Sequence, residues 1–271
     1  RRTKNPETGS QYLQARCDPV SDTDGRELHA LILSVSDLSV EEVFRAFTVQ
    51  VVHVLDGVRR SQRLRVLEEL FARWRRFWSS PNINFDEVGL FGELRFLRYW
   101  LADRGDGVDA WGGGGRGATL QDFQFGARDV EVKTTTREGG ARHTIHGLDQ
   151  LAPRGSRPLE LFSCRIRKNP TGQTVADLVS EVEADLAGDS TRLAALFEGL
   201  AGFGYWPGKS GLETYEEVGE RLYGVADDFP RLTRASLAGD LPRGIRGDRV
   251  QYELDLDGCD AWVPADSPPH P

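Results

Sequence analysis

Two short segments near the middle of the chain, residues 120–125 (Leu-Gln-Asp-Phe-Gln-Phe) and 130–134 (Val-Glu-Val-Lys-Thr), alternate apolar and polar residues with a period of two. That period marks strands with one face buried. Phe123, Phe125, Val130 and Val132 then share one face, and Asp122, Gln124, Glu131 and Lys133 share the other. Residues 126–129 supply a turn, and an even loop pairs Phe123 with Val132 and Asp122 with Lys133. A slip of one residue would send Asp122 to the apolar side, so the register is constrained. Asp122 and Glu131 become diagonal neighbours able to share one ion. Hard divalent cations take carboxylate and carbonyl oxygens, so Asp122, Glu131 and the main-chain carbonyl of Val132 could form a three-point Mg²⁺ site with Lys133 beside it. The same residues could instead make a plain Asp122–Lys133 salt bridge on a solvated face.

Two features favour chemistry. Of 34 basic residues only Lys4, Lys133, Lys168 and Lys209 are lysines. In so arginine-rich a chain an ordinary surface cation would be arginine, whereas an ammonium is compact and its pKa follows its surroundings. The second feature is Glu93. Leu90, Leu94, Leu97, Trp100 and Leu101 form a helical apolar stripe, and Glu93 lies on or beside that stripe. A carboxylate facing a core wants a cation. Snorkelling at the stripe's edge, or an arginine partner, would also satisfy it.

Together, Gly92-Glu93 on a helix, Asp122, and Glu131-Val-Lys133 resemble the PD-(D/E)XK phosphodiesterase superfamily, which includes many restriction endonucleases. The closer resemblance is to bacterial PD-(D/E)XK family members often encoded near restriction and phage-defence genes. The matching segments are residues 89–94, Trp111 with glycines 112–115, Asp122-Phe123, residues 131–134, Gln150-Leu151, residues 229–232 and residues 250–256. They span about residues 85–258. The superfamily's proline before the aspartate is replaced by Gln121. The resemblance implies an α/β fold: a restriction-endonuclease-like core with a mixed sheet flanked by helices, an N-terminal strand and helix region, and a C-terminal helical and strand extension. It also implies Mg²⁺-dependent hydrolysis of DNA phosphodiester bonds, with Mn²⁺ able to substitute. Asp122, Glu131 and Val132 would hold the metal, Lys133 would position or polarise the attacking water, and Glu93 would act from just outside the ligand set or through a metal-bound water. Gln150, expected on a short helix, would lie near the site or be an ordinary surface glutamine. A non-cleaving DNA- or protein-binding member and an RNA-directed nuclease are the alternatives. By analogy a homodimer and defence-system partner proteins are expected.

The length suffices for one large domain or two small ones, read here as residues 1–84, a nuclease-like core at 85–170, and 171–271. No apolar run approaches the roughly 20 residues that span a bilayer. Three scattered cysteines, Cys17, Cys164 and Cys259, make neither a disulfide framework nor a zinc motif. With no signal peptide evident, the expected compartment is the cytoplasm. The net charge of −8 is unusual for a nucleic-acid binder, although a basic groove can coexist with an acidic exterior. Arg59, Arg60 and Arg63, with Arg65, Arg73, Arg75 and Arg76, are the best candidates for phosphate contact. They accompany a helix with the stripe Leu64, Leu67, Phe71, Trp74, Trp78; a solvated face paired with Glu68 and Glu69 is the competing reading. The chain has no methionine. A modified methionine dropped from the sequence would shorten some spacings.

Further strands are expected at 12–17, 27–35, 159–167, 221–225 and 249–256. Helices are expected at 39–55, 62–78, 86–103, 175–186 and 191–200, with a linker at 81–84 and a loose tail from 266. Residues 204–210 resemble a phosphate loop but are one residue short, and His143 and His146 read as core or surface histidines rather than ligands.

Overall fold

In the computed structural model the described residues are 12–36, 40–79, 85–101, 104–113, 121–237, 241 and 245–263. The expected cap at Ser39, Leu120, the 81–84 linker, part of the glycine run, the tail, and the side chains of Arg73, Arg75 and Arg76 lie outside them. The chain divides into two compact units, residues 1–85 with 196–211, and residues 86–195 with 212–271.

The first unit holds an antiparallel hairpin, β1 (Leu13–Ser21) and β2 (Glu27–Val35), and two helices, α1 (Glu41–Leu55) and α2 (Arg63–Ser79). Phe47 of α1 sits among Phe71, Trp74 and Trp78 of α2, with ring centroids 5.3–5.5 Å apart. The apolar stripe of α2 is therefore as expected except at Leu64, which is 42% exposed, while Leu70 turns inward. Arg59 and Arg60 lie in the turn before α2 rather than on it. They and Arg63 are exposed, and Arg63 donates to the Val58 carbonyl. Arg65 pairs with Glu69, as a solvated face would require.

The second unit is built on a four-stranded mixed sheet in the order β3 (Phe123–Gln124), β4 (Asp129–Thr135), β6 (Leu159–Gln173), β7 (Tyr215–Gly224). The β4–β6 pair is parallel and the outer pairs are antiparallel. A second ribbon pairs β5 (Arg142–His146) with β8 (Gln251–Asp255). Helices α3 (Glu87–Arg95), α4 (Arg104–Ala110), α5 (Val175–Asp185) and α6 (Ser190–Gly202) complete the element order, α6 crossing into the first unit at Leu196. The result is the expected mixed sheet with helices flanking it, compatible with a restriction-endonuclease-like core. No helix among the described residues is long and apolar enough to cross a membrane.

Several boundaries differ from the sequence reading. The expected single helix over 86–103 stops at Trp100, its last turn, Phe96–Trp100, widening into π geometry. Strands β6 and β7 run longer than expected because each pairs with the other along most of its length. Gln150 lies in a turn, not a helix: Gly147 adopts a positive φ of 87°, and the turn closes through Ala152 N–H to the Asp149 carbonyl, just before Pro153. Residues 204–210 follow α6 and lead towards β7, so they lack the strand-then-helix setting of a phosphate loop.

Helix α3 starts at Asp86, whose side chain accepts from Gly89 N–H, and it is buried from Leu90 to Arg95. Its approach to β4 requires Gly92. A Cβ there would lie 1.8 Å from Thr134 Oγ1 and 3.0 Å from Thr134 Cβ. Gly92→Ala is therefore expected to lose about 1–3 kcal/mol through overpacking. Adding Thr134→Ala, which removes the nearest atom, should make the pair cost less than the sum of the singles in urea titrations. Strict additivity would show that α3 does not depend on this contact.

Candidate active site

The strand pair at the centre of the expected site forms in a corrected register. Phe123 faces Val130 and Gln124 faces Asp129, so the register has slipped by two residues from the expected Phe123–Val132 and Asp122–Lys133 pairing. The cause is Asp129. It joins β4 instead of the turn, its N–H donating to the Pro158 carbonyl at 2.9 Å, with its carboxylate 3.3 Å from Arg154 and 3.2 Å from Arg157. The shift preserves parity. Phe123, Val130 and Val132 stay buried on one face, and Asp129, Glu131 and Lys133 stay together on the other. Asp122 now stands across from Glu131 rather than diagonal to it.

Beyond β3 the sheet edge opens. Asp122 caps it, Oδ2 accepting from Val132 N–H at 2.7 Å. In a strand the N–H and C=O of one residue face the same edge. The Val132 carbonyl therefore points to the side where β3 has ended, next to Asp122. Lys133 Nζ donates to Glu131 Oε1 at 2.6 Å, not to Asp122 as the salt-bridge reading supposed. Glu93 reaches the same place from α3, its Oε2 accepting from Trp111 Nε1. Trp111 is itself bridged to Phe123. Gln150 Oε1 accepts from His146 N–H, and its side chain lies close enough to Glu131 to favour that carboxylate's charge.

Electrostatics bind the four groups into one cluster. Burial, reinforced by the charge of Asp122, pushes Glu131 up to about 8. Burial, then Asp122, hold Glu93 well above the usual carboxylate range. Burial also raises Asp122, against the pull of Lys133. For Lys133 burial works downward, but Glu131 and Asp122 outweigh it and the amine is held above its ordinary value. Three carboxyls thus face one ammonium in a water-poor setting, and Glu131 Oε2 is buried with no hydrogen-bond partner. Among the described residues, no three His, Cys, Asp or Glu side chains are already gathered into a closed cation cage. The orphaned Glu131 oxygen, the excess of carboxyl groups over cations and the outward carbonyl of Val132 nevertheless make a donor set that suits a hard divalent cation.

Some neighbours were not foreseen. The Asp129 clamp could have been suspected, because position 129 shares the odd-numbered face with 131 and 133. His143 is a core residue, as expected, with Nε2 2.7 Å from Ser163 Oγ. Burial, then the charges of Lys133 and Arg137, lower it to about 3. Nothing in the sequence pairs it with Ser163, which is 20 positions away.

A mixed α/β sheet that sets an aspartate and a Glu-x-Lys pair at an open edge, with a glutamate presented from the preceding helix, has the layout of a PD-(D/E)XK nuclease-like core. Residues 2–257 match the model of the DUF4420 family, described as "Putative PD-(D/E)XK family member". The chain belongs to that family. No curated protein and no solved structure matches it.

Proposed function

We propose that this protein is a Mg²⁺-dependent endonuclease that hydrolyses DNA phosphodiester bonds, acting in the cytoplasm as part of a restriction or phage-defence system. Membership of a PD-(D/E)XK nuclease-like family supports phosphodiesterase chemistry. The observation that carries the reading is the meeting of Glu93, Asp122, Glu131 and Lys133 at one sheet edge.

In this reading Asp122, Glu131 and the Val132 carbonyl would hold Mg²⁺ or Mn²⁺. Bound there, the ion would supply Lewis acidity and offset charge gathering on the phosphate oxygens. Water adds to phosphorus, one P–O ester bond breaks, and the leaving alkoxide takes a proton. Lys133 has three N–H donors, and the bond to Glu131 uses one. The others serve to orient the water or to stabilise a phosphate oxygen. Trp111 fixes Glu93, so that a carboxylate faces the reacting group from the helix side.

Titration with Mg²⁺ should raise the melting temperature saturably, by the equivalent of about 2.7 kcal/mol at a hundredfold excess over Kd. Glu131→Gln should lose most of that gain. Nicking of supercoiled plasmid should require the same ion, and parallel digests of DNA and RNA identify the polymer. A protein that neither shifts with Mg²⁺ or Mn²⁺ nor cuts either polymer would overturn the reading.

A further inference from the structure

The face that carries Glu131 and Lys133 continues across the sheet. Paired residues point the same way, so Lys133, Ser163 and Arg221 form one row, and Thr135, Arg165 and Gly219 form the next. Strands β6 and β7 floor a cleft of about 320 Å³, walled by residues 256–258 and 260 beyond β8. A volume of this size lies at the low end for ligand sites.

The cleft's charges are mostly spoken for. Arg221 pairs with Asp260, and Asp257 accepts from Ala141 N–H at 3.2 Å. Glu220 belongs to the opposite face, where Arg95 and Trp100 bind its carboxylate. Arg165 is different. It is half-buried, lines the cleft, and among the described residues has no carboxylate partner. Gly219 lies beside it, a Cβ there being in ordinary contact at 3.9 Å from Arg165 Nε. The β6–β7 register also shifts between Arg165 and Ile166, where β7 carries the extra residue, Val218. From strand spacing and rise, the Cα atoms of Arg165 and Lys133 are about 8 Å apart, with the His143–Ser163 contact beside the line between them.

We propose that Arg165 binds one backbone phosphate of the nucleic-acid strand, holding it in this cleft so that a neighbouring phosphodiester meets Lys133 and the carboxylates. A lone guanidinium in a cleft, with two paired carboxylates beside it, suits a singly charged diester and its planar fork can take two oxygens at once. The inference rests on nucleic acid being the substrate proposed above.

The test measures binding apart from turnover. In the Glu131→Gln full-length protein, fluorescence anisotropy with labelled single-stranded and duplex DNA and RNA is followed over a range of salt. Arg165→Ala in that background should weaken the preferred polymer about tenfold and reduce the salt slope by about one, with Arg165→Lys restoring most of the affinity. If the alanine variant fails to fold, Arg165→Gln makes the same comparison. Unchanged affinity and slope, or a parent protein that binds neither polymer, would overturn the proposal. Arg165-dependent binding by a protein that cuts nothing would remove the hydrolysis reading alone. Cleavage by the wild type with an unchanged KM in Arg165→Ala would remove this inference alone.

Discussion

Lys133→Ala should lower metal-dependent cleavage by about 10²–10⁴-fold, the range for a positioned proton-handling or charge-stabilising group. The same change should leave Mg²⁺ binding as tight or tighter. Lys133 Nζ holds Glu131 Oε1 at 2.6 Å, with only 16% of its side chain exposed. Removing it takes away the ammonium that, among the described residues, faces Asp122, Glu131 and Glu93, so the site becomes a stronger attractor for a divalent cation while losing its donor to water or phosphate. Single-turnover cleavage rates and Mg²⁺-induced thermal shifts, measured on one preparation, separate the two effects. Lys133→Arg should not rescue, because a planar guanidinium on a longer stem cannot replace a compact ammonium between two carboxylates. Cutting by Lys133→Ala at the wild-type rate would end the role assigned to this residue.

The largest stability effect is expected at Arg95. Its Nε donates to Glu220 Oε1 at 2.5 Å, and Trp100 Nε1 donates to Glu220 Oε2 at 2.9 Å. The Glu220 side chain is fully buried and that of Arg95 nearly so. Arg95→Met would strand a buried carboxylate, at a cost of about 3–5 kcal/mol. Arg95→Met with Glu220→Met, which removes both charges, should recover much of that loss, since replacing a whole buried pair with apolar groups is often close to neutral. Chemical denaturation of the two single variants and the double measures the coupling directly. A single variant that loses less than about 1 kcal/mol would contradict the pairing. Arg95 lies two residues beyond Glu93 on α3, so this pair also helps to fix the helix that presents the glutamate.

Strand periodicity was enough to place Asp122, Glu131 and Lys133 on one face, because a two-residue slip leaves parity intact. It was not enough for the register, which depended on Asp129 being drawn into β4 by Arg154 and Arg157, residues from a loop 25 or more positions away. The helical reading of α3 was sound near Glu93 but overran at its end, where the turn at 96–100 widens. In α2 the stripe was right at Phe71, Trp74 and Trp78, whose rings meet Phe47, and wrong at Leu64, which stays exposed.

Local pattern alone determined which residues alternate, which form helices, and that an aspartate, a Glu-x-Lys pair and an inward glutamate occur in that order. Those properties depend on backbone geometry repeating over a few residues. Only the tertiary structure decided that the four groups meet, that Trp111 steadies Glu93, that Gln150 sits in a turn beside Glu131, and that Lys133 bonds to Glu131 instead of Asp122. Each of these arises from packing between segments far apart in the chain, where burial raises the energy of every unpaired charge until it finds a partner.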